Sequence, residues 1–359
     1  MEFHEEQFNT PSLPPPTKSG SYLKKVIGLI FLALICVSTI IYIFNYKKED
    51  IAEKENNVIE PLTLADRDIY VLVDDGNANV IEVAKAFYKQ YPNKDVYDFL
   101  SVFTTFPDQS SRSFHYPVKN EVSGIGHLIA DESKTYGSSG NLIGINFFND
   151  MFNSGGGVSN PEGIKHNFNL ITHELEHQWV LYIGDSYCYG NSKCWRFNES
   201  SHFSHWVDSA FTRGGQIFYD INGGGVAWTD NKDGTFTKNI LSEKGLSPLA
   251  LYLMGMIPSS EVSNLKFIIP EDYTDYSLTV KAKSVELSIN DITARYGARA
   301  PSVDQSQKEF KMAYILLLKN GEQAKQEDMD SLIYISDNYP GEWSRQTLGK
   351  SFINKKLTE

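Results

Sequence analysis

Apolar residues fall into patterns of different lengths along the chain. The longest is Val26 to Phe44, an unbroken run without a charge between Lys24-Lys25 and Asn45-Tyr46-Lys47-Lys48, enough to cross a bilayer as one helix. Ile69 to Val73, Tyr97 to Phe103 and Leu142 to Phe148 are short runs of strand length, with Phe114 to Val118 a further strand. Asn79 to Tyr91 spaces its apolar residues along one face of a helix. Asn160-Pro161 can cap and open a helix and Gly184 can close one, and no proline lies between, so the pattern predicts one long helix from 160 to 184. Leu170, Ile171, Leu175, Trp179, Val180 and Ile183 make it apolar nearly all round, which marks a helix buried between layers.

Downstream, Val226 to Thr229 and Thr235 to Thr237 flank Asp233-Gly234 as a hairpin, and Pro248 to Met256 reads as a helix or tight turn. Ile289 to Tyr296 reads as a short helix and Gln305 to Leu318 as a helix on the core. Strand, helix, strands and long helix is an α+β order. It predicts a mixed sheet packed on the buried helix, a mostly helical C-terminal subdomain, and one transmembrane helix in front. The boundaries are a polar, disordered tail (1–25), an anchor (26–44), a stalk (45–65), an N-terminal subdomain (66–184) and a C-terminal subdomain that completes the site (185–359). The long leader before the apolar run, with no small-x-small pair near Tyr42 to Tyr46, favours an uncleaved anchor over a signal peptide. Glu49, Asp50, Glu53 and Glu55 dilute Lys47-Lys48, and a single N-terminal anchor usually leaves a large C-terminal domain outside the cell.

Candidate chemistry sits on the long helix, in His173-Glu174-Leu175-Glu176-His177. Two histidines four positions apart share one helix face within reach of one ion. Glu174 lies about 100° further round, placed to touch a water without being a ligand. This is the H-E-x-x-H arrangement of zinc held by two histidines with the glutamate as general base. A third ligand must come from elsewhere, because catalytic zinc takes three protein ligands and keeps one position open. Val180 and Ile183 stand where the metzincin extension needs Gly and His. Asn198-Glu199 resembles the Asn-Glu pair of thermolysin-like enzymes at a longer interval, and His202 and His205 are the other candidates.

With 359 residues, 41% of them hydrophobic, the chain can build a substantial core, and a formal charge of −12 without a basic patch argues against a nucleic-acid partner. Of the three cysteines, Cys188 and Cys194 can close a short loop behind the helix in an oxidising compartment or remain free thiols.

The segments His173 to Trp179, His205-Trp206 and Ser247-Pro248-Leu249-Ala250-Leu251-Tyr252-Leu253-Met254-Gly255 together resemble a group of bacterial secreted zincin-like metallopeptidases. Ile289 to Ile292 and Gln307 to Leu318 extend the likeness over most of the globular part. The resemblance implies a zincin-like fold, zinc as cofactor, His205 as the third ligand beside His173 and His177, and Glu174 as the catalytic base. The expected activity is hydrolysis of extracytoplasmic proteins or peptides by a membrane-anchored zinc endopeptidase. The competing expectation is a non-catalytic binding or adhesion module on the same fold.

Overall fold

The computed structural model describes residues 67–74, 79–106, 113–149, 161–180, 182–183, 187–189, 193–195, 198–199, 202–223, 226–240 and 243–354. Its first half forms β1 (Ile69–Val73), α1 (Val80–Gln90), β2 (Phe99–Thr104), β3 (Phe114–Pro117), β4 (Gly144–Phe148) and α2 (Pro161–Glu176). The second half adds β5 (His202–Phe203), β6 (Val207–Asp208), β7 (Gln216–Asp220), β8 (Val226–Asp230), β9 (Thr235–Ile240) and α3 (Pro248–Leu253). It closes with β10 (Leu265–Pro270), β11 (Thr279–Leu287), α4 (Ile289–Tyr296), β12 (Glu309–Leu318), α5 (Gln326–Gln346) and β13 (Phe352–Asn354). The described residues all belong to one compact unit, Ile59–Glu359. The expected tail, anchor and stalk lie outside the described residues, among which no helix is long and apolar enough to cross a membrane.

The result is a mixed α+β protein with several sheets. The main sheet runs β1-β12-β2-β4-β3, with neighbours parallel except for β3, which pairs antiparallel with β4 and forms one edge. β13 pairs with the start of β12. Alternation along the strands divides the core in two. Tyr70, Leu72, Leu100, Val102, Ile315 and Leu317 pack with Val83, Ala84 and Phe87 of α1. Ile69, Val71, Phe99, Phe103, Leu316 and Leu318 pack with α2 and α5 through Ile171, Leu175, Leu332 and Tyr339. Strands buried on both faces in this way read as continuous apolar runs. Asn79 caps α1 by accepting from the Ile81 N–H at 2.9 Å. A reciprocal Ser288–Asp291 capping box starts α4 at the residue the pattern predicts.

Three expectations need correction. Gln305 to Leu318 does not form a helix: Glu309–Leu318 is the strand β12, paired with both β1 and β2. Its apolar run is buried on both sides, and period alone does not separate such a strand from a buried helix. Nor is the C-terminal part mostly helical. It is rich in strands, with a five-stranded sheet in the order β6-β10-β11-β9-β8 and a three-stranded one of Ala210–Arg213, β7 and Lys244–Gly245. The long helix expected to reach Gly184 ends at Glu176. There Gln178 N bonds Leu175 O and Trp179 N bonds Glu176 O, three residues back, while the Trp179 carbonyl goes to His127 Nε2 at 2.7 Å. Gly126 crosses this turn so closely that a Cβ on it would meet the Tyr182 carbonyl oxygen at 1.8 Å.

Candidate metal centre

Three imidazoles from two elements converge beside α2. His173 lies in its last turn and His177 just beyond its end, with ring centroids 4.9 Å apart. His202 comes from β5, which pairs with Asn198–Glu199 so that His202 stands opposite Glu199. Its ring centroid is 4.9 Å from that of His173 and 5.3 Å from that of His177. The Nε2 atoms of His202 and His173 are 3.0 Å apart. One nitrogen from each ring lies within 4.8 Å of the other two, a set able to hold a metal ion. The side chain of Glu199 lies outside the described residues.

His205 is placed elsewhere, against the expectation that it joins the pair. A turn closed by Val207 N to Ser204 O separates it from β5. Its ring packs edge-on to Trp206, Trp228 and Tyr276, and its Nε2 lies 3.1 Å from Lys238 Nζ. Trp228 of β8 and Tyr276 from the loop between β10 and β11 pack around the His-Trp pair, while His202 takes the position by α2.

The outer nitrogens of the two helix histidines also have partners. His173 Nδ1 lies 3.1 Å from the Ile221 carbonyl and His177 Nδ1 lies 3.2 Å from the Asn222 side-chain amide. Burial favours the neutral rings. It takes His173 down to about 4, against the opposing effect of the Ile221 bond, and His177 down to about 2, with His173, His115 and His202 adding to the shift. Neutral imidazoles with a free lone pair are the form that binds metal. The donor set therefore fits zinc, for which three histidines and an open fourth position are a standard catalytic coordination.

Glu174 is 4% exposed, and burial raises its carboxyl to about 8, partly offset by a hydrogen bond from the His115 backbone N–H. His115 lies on the edge strand β3, so the sheet edge directly contacts the acid of α2. The side chain of His115 strengthens the link: Nδ1 lies 2.8 Å from Asn146 Oδ1 and Nε2 3.0 Å from Gln178 Oε1, and Gln178 Nε2 donates to the Lys119 carbonyl. Gly144 makes room for this bridge, since a Cβ there would meet the His115 ring at 2.5 Å and Gln178 Oε1 at 2.9 Å. Neither His115 nor Asn222 carries a local sequence signal. They reach the site from 63 and 45 residues away from Gln178 and His177 respectively.

In the Ser247 to Gly255 segment, Met254 is a core residue, 1% exposed, and the Tyr252 hydroxyl accepts from the Arg299 backbone N–H. Tyr187–Tyr189 pairs antiparallel with Lys193–Trp195, setting Cys188 opposite Cys194 along the backbone. Comparison with family models, with curated proteins and with solved structures found no match.

His127 gives this region a pH-dependent anchor. Its Nε2 is bonded to Trp179 O, it is 5% exposed, and burial lowers it to about 4 from an ordinary 6.5. A histidine depressed in the folded state costs nothing above 6.5 and destabilises as pH falls from there towards 4, because the unfolded chain takes up the proton first. The full effect is about 3 kcal/mol. His127→Gln, which can still donate to Trp179 O, is expected to flatten the loss of chemical stability between pH 6.5 and 4. Parallel curves for variant and wild type would show that the ring bears no such load.

Proposed function

We propose that the protein is a zinc metallopeptidase that cleaves extracytoplasmic proteins or peptides from an N-terminal membrane anchor. The observation that carries this reading is the convergence of His173, His177 and His202 beside a buried Glu174 one position along the helix. A binding module needs no such acid next to its metal. His173, His177 and His202 would hold the zinc, which when bound supplies Lewis acidity. The positive charge of a bound zinc would favour the ionised form of the buried Glu174, whose carboxylate would take the proton from the attacking water and return it to the leaving amine. The His115 N–H holds that carboxylate in place.

An extended substrate pairs with an open strand edge. β4 is an inner strand of the main sheet and β3 forms its edge. β3 is therefore the strand proposed to line the substrate.

Full-length protein purified in mild detergent without chelator is expected to carry about one zinc per chain. It is expected to cleave an unfolded protein substrate, to stop on treatment with 1,10-phenanthroline and to resume on addition of Zn2+. Zinc without cleavage would favour the binding module, and a chain that takes up no zinc would remove both the cofactor and the peptidase reading.

A further inference from the structure

We infer that Asn222 is a positioning residue for the metal ligands, fixing His177 through its amide oxygen and His202 through its backbone; this rests on the proposed zinc site. Ile221 and Asn222 follow β7, and this dipeptide touches all three histidine-bearing segments. The Ile221 carbonyl meets His173 Nδ1 at 3.1 Å, and the Asn222 amide meets His177 Nδ1 at 3.2 Å. The Asn222 carbonyl accepts from the N–H of Phe203, next to His202, at 3.1 Å.

The dipeptide is itself firmly held. Ile221 N bonds Gly245 O, and Asn222 N donates to Asp220 Oδ1. Asp220 Oδ2 accepts from Ser247 N at 2.9 Å. Asn222 is fully buried and Asp220 is 1% exposed, so the support is interior and shielded from water.

The amide must face His177 in a particular sense. An asparagine oxygen and nitrogen have nearly the same shape, and their assignment follows from the hydrogen-bond network. With Nδ2 towards His177, the buried Oδ1 has no donor. His177 Nδ1 would then be an acceptor, and its proton would sit on Nε2, where a ligand needs its lone pair. With Oδ1 towards His177, Nδ1–H donates to it and the Nε2 lone pair is available. This is the outer-sphere support that fixes the tautomer of a metal-bound histidine. The Glu176 carboxyl lies beside the same amide, is fully buried, and has no well-formed hydrogen bond to either oxygen, so it offers the amide N–H groups an acceptor.

The test uses the full-length chain and two variants. Asn222→Leu keeps the size and removes the acceptor. Asn222→Asp combined with Glu176→Gln keeps an oxygen at His177 and exchanges the carboxyl and the amide. Zn2+ affinity is read by competition with a chromophoric chelator, the ligand field from the visible bands of the Co2+-loaded protein, and folding from thermal unfolding of the metal-free form.

Asn222→Leu is expected to weaken Zn2+ binding about 10–100-fold and to shift the Co2+ bands. The exchanged pair is expected to return affinity to within about threefold of wild type and to restore the bands, the recovery typical of a coupled pair. Wild-type affinity and bands in Asn222→Leu would overturn the inference while leaving the zinc site standing. If Asn222→Leu does not fold, the exchanged pair decides: recovered affinity supports the role of the acceptor, and a loss of tenfold or more overturns it. A wild-type chain that binds no Zn2+ overturns the zinc reading and this inference with it.

Discussion

His202→Ala is expected to lose its zinc during purification, whereas His205→Ala is expected to retain about one equivalent. Structural zinc held by four ligands is bound by about 10–16 kcal/mol, so at a similar worth per ligand the loss of one histidine would lower affinity on the order of a hundredfold or more. The contrast follows from position. The Nε2 of His202 is 3.0 Å from that of His173, while His205 sits among Trp206, Trp228 and Tyr276 with Lys238 at its Nε2. His205→Ala therefore opens a gap in an aromatic cluster. It is expected to lower stability by about 1–2 kcal/mol without affecting the metal. Metal analysis of both variants after gel filtration, with chemical denaturation of each, separates the two roles. Zinc lost from His205→Ala and kept by His202→Ala would reverse the assignment and restore the ligand set that the His-Trp resemblance implies.

The two histidines show where sequence spacing stops being informative. His173, Glu174 and His177 were legible because helix geometry fixes their relation locally, four positions giving one turn. His202 and His205 are only three residues apart, and nothing local decides which one turns towards α2. That choice depends on the pairing of β5 with Asn198–Glu199 and on the distant strands that supply Trp228 and Lys238. Ile221 and Asn222 are further out of reach, since they bond to the histidines only once β7 is folded against Lys244–Gly245.

The fold follows the same division. α1 and α4 were readable from their caps, Asn79 and the Ser288–Asp291 pair, and the first strands from their apolar runs. The apolar stretch of β12 suits a buried helix as well as a strand, and only its enclosure between β1 and β2 decides for the strand. The early end of α2 is likewise a tertiary effect. His127 takes the Trp179 carbonyl and Gln178 is drawn to His115 and Lys119, at the point where the sequence alone continues apolar and helical.

Glu174→Gln is expected to lower the rate of proteolysis about 10²–10⁴-fold while zinc stays at about one per chain, the loss typical of a missing general base. The substitution keeps the shape of the side chain, and its amide oxygen can still accept from the His115 N–H that holds the carboxylate in the native protein. What it removes is the ability to take up a proton from water and pass it on. Glu174 is not one of the three converging groups, so metal content should not follow activity down. That dissociation is the informative result. A variant that loses zinc and activity together would assign Glu174 to the metal itself, and a variant that still cleaves at the wild-type rate would place the base elsewhere. In either case α2 and the turn that follows it would still carry the histidine pair, but the proton-transfer role inferred from H-E-x-x-H would not hold for this chain.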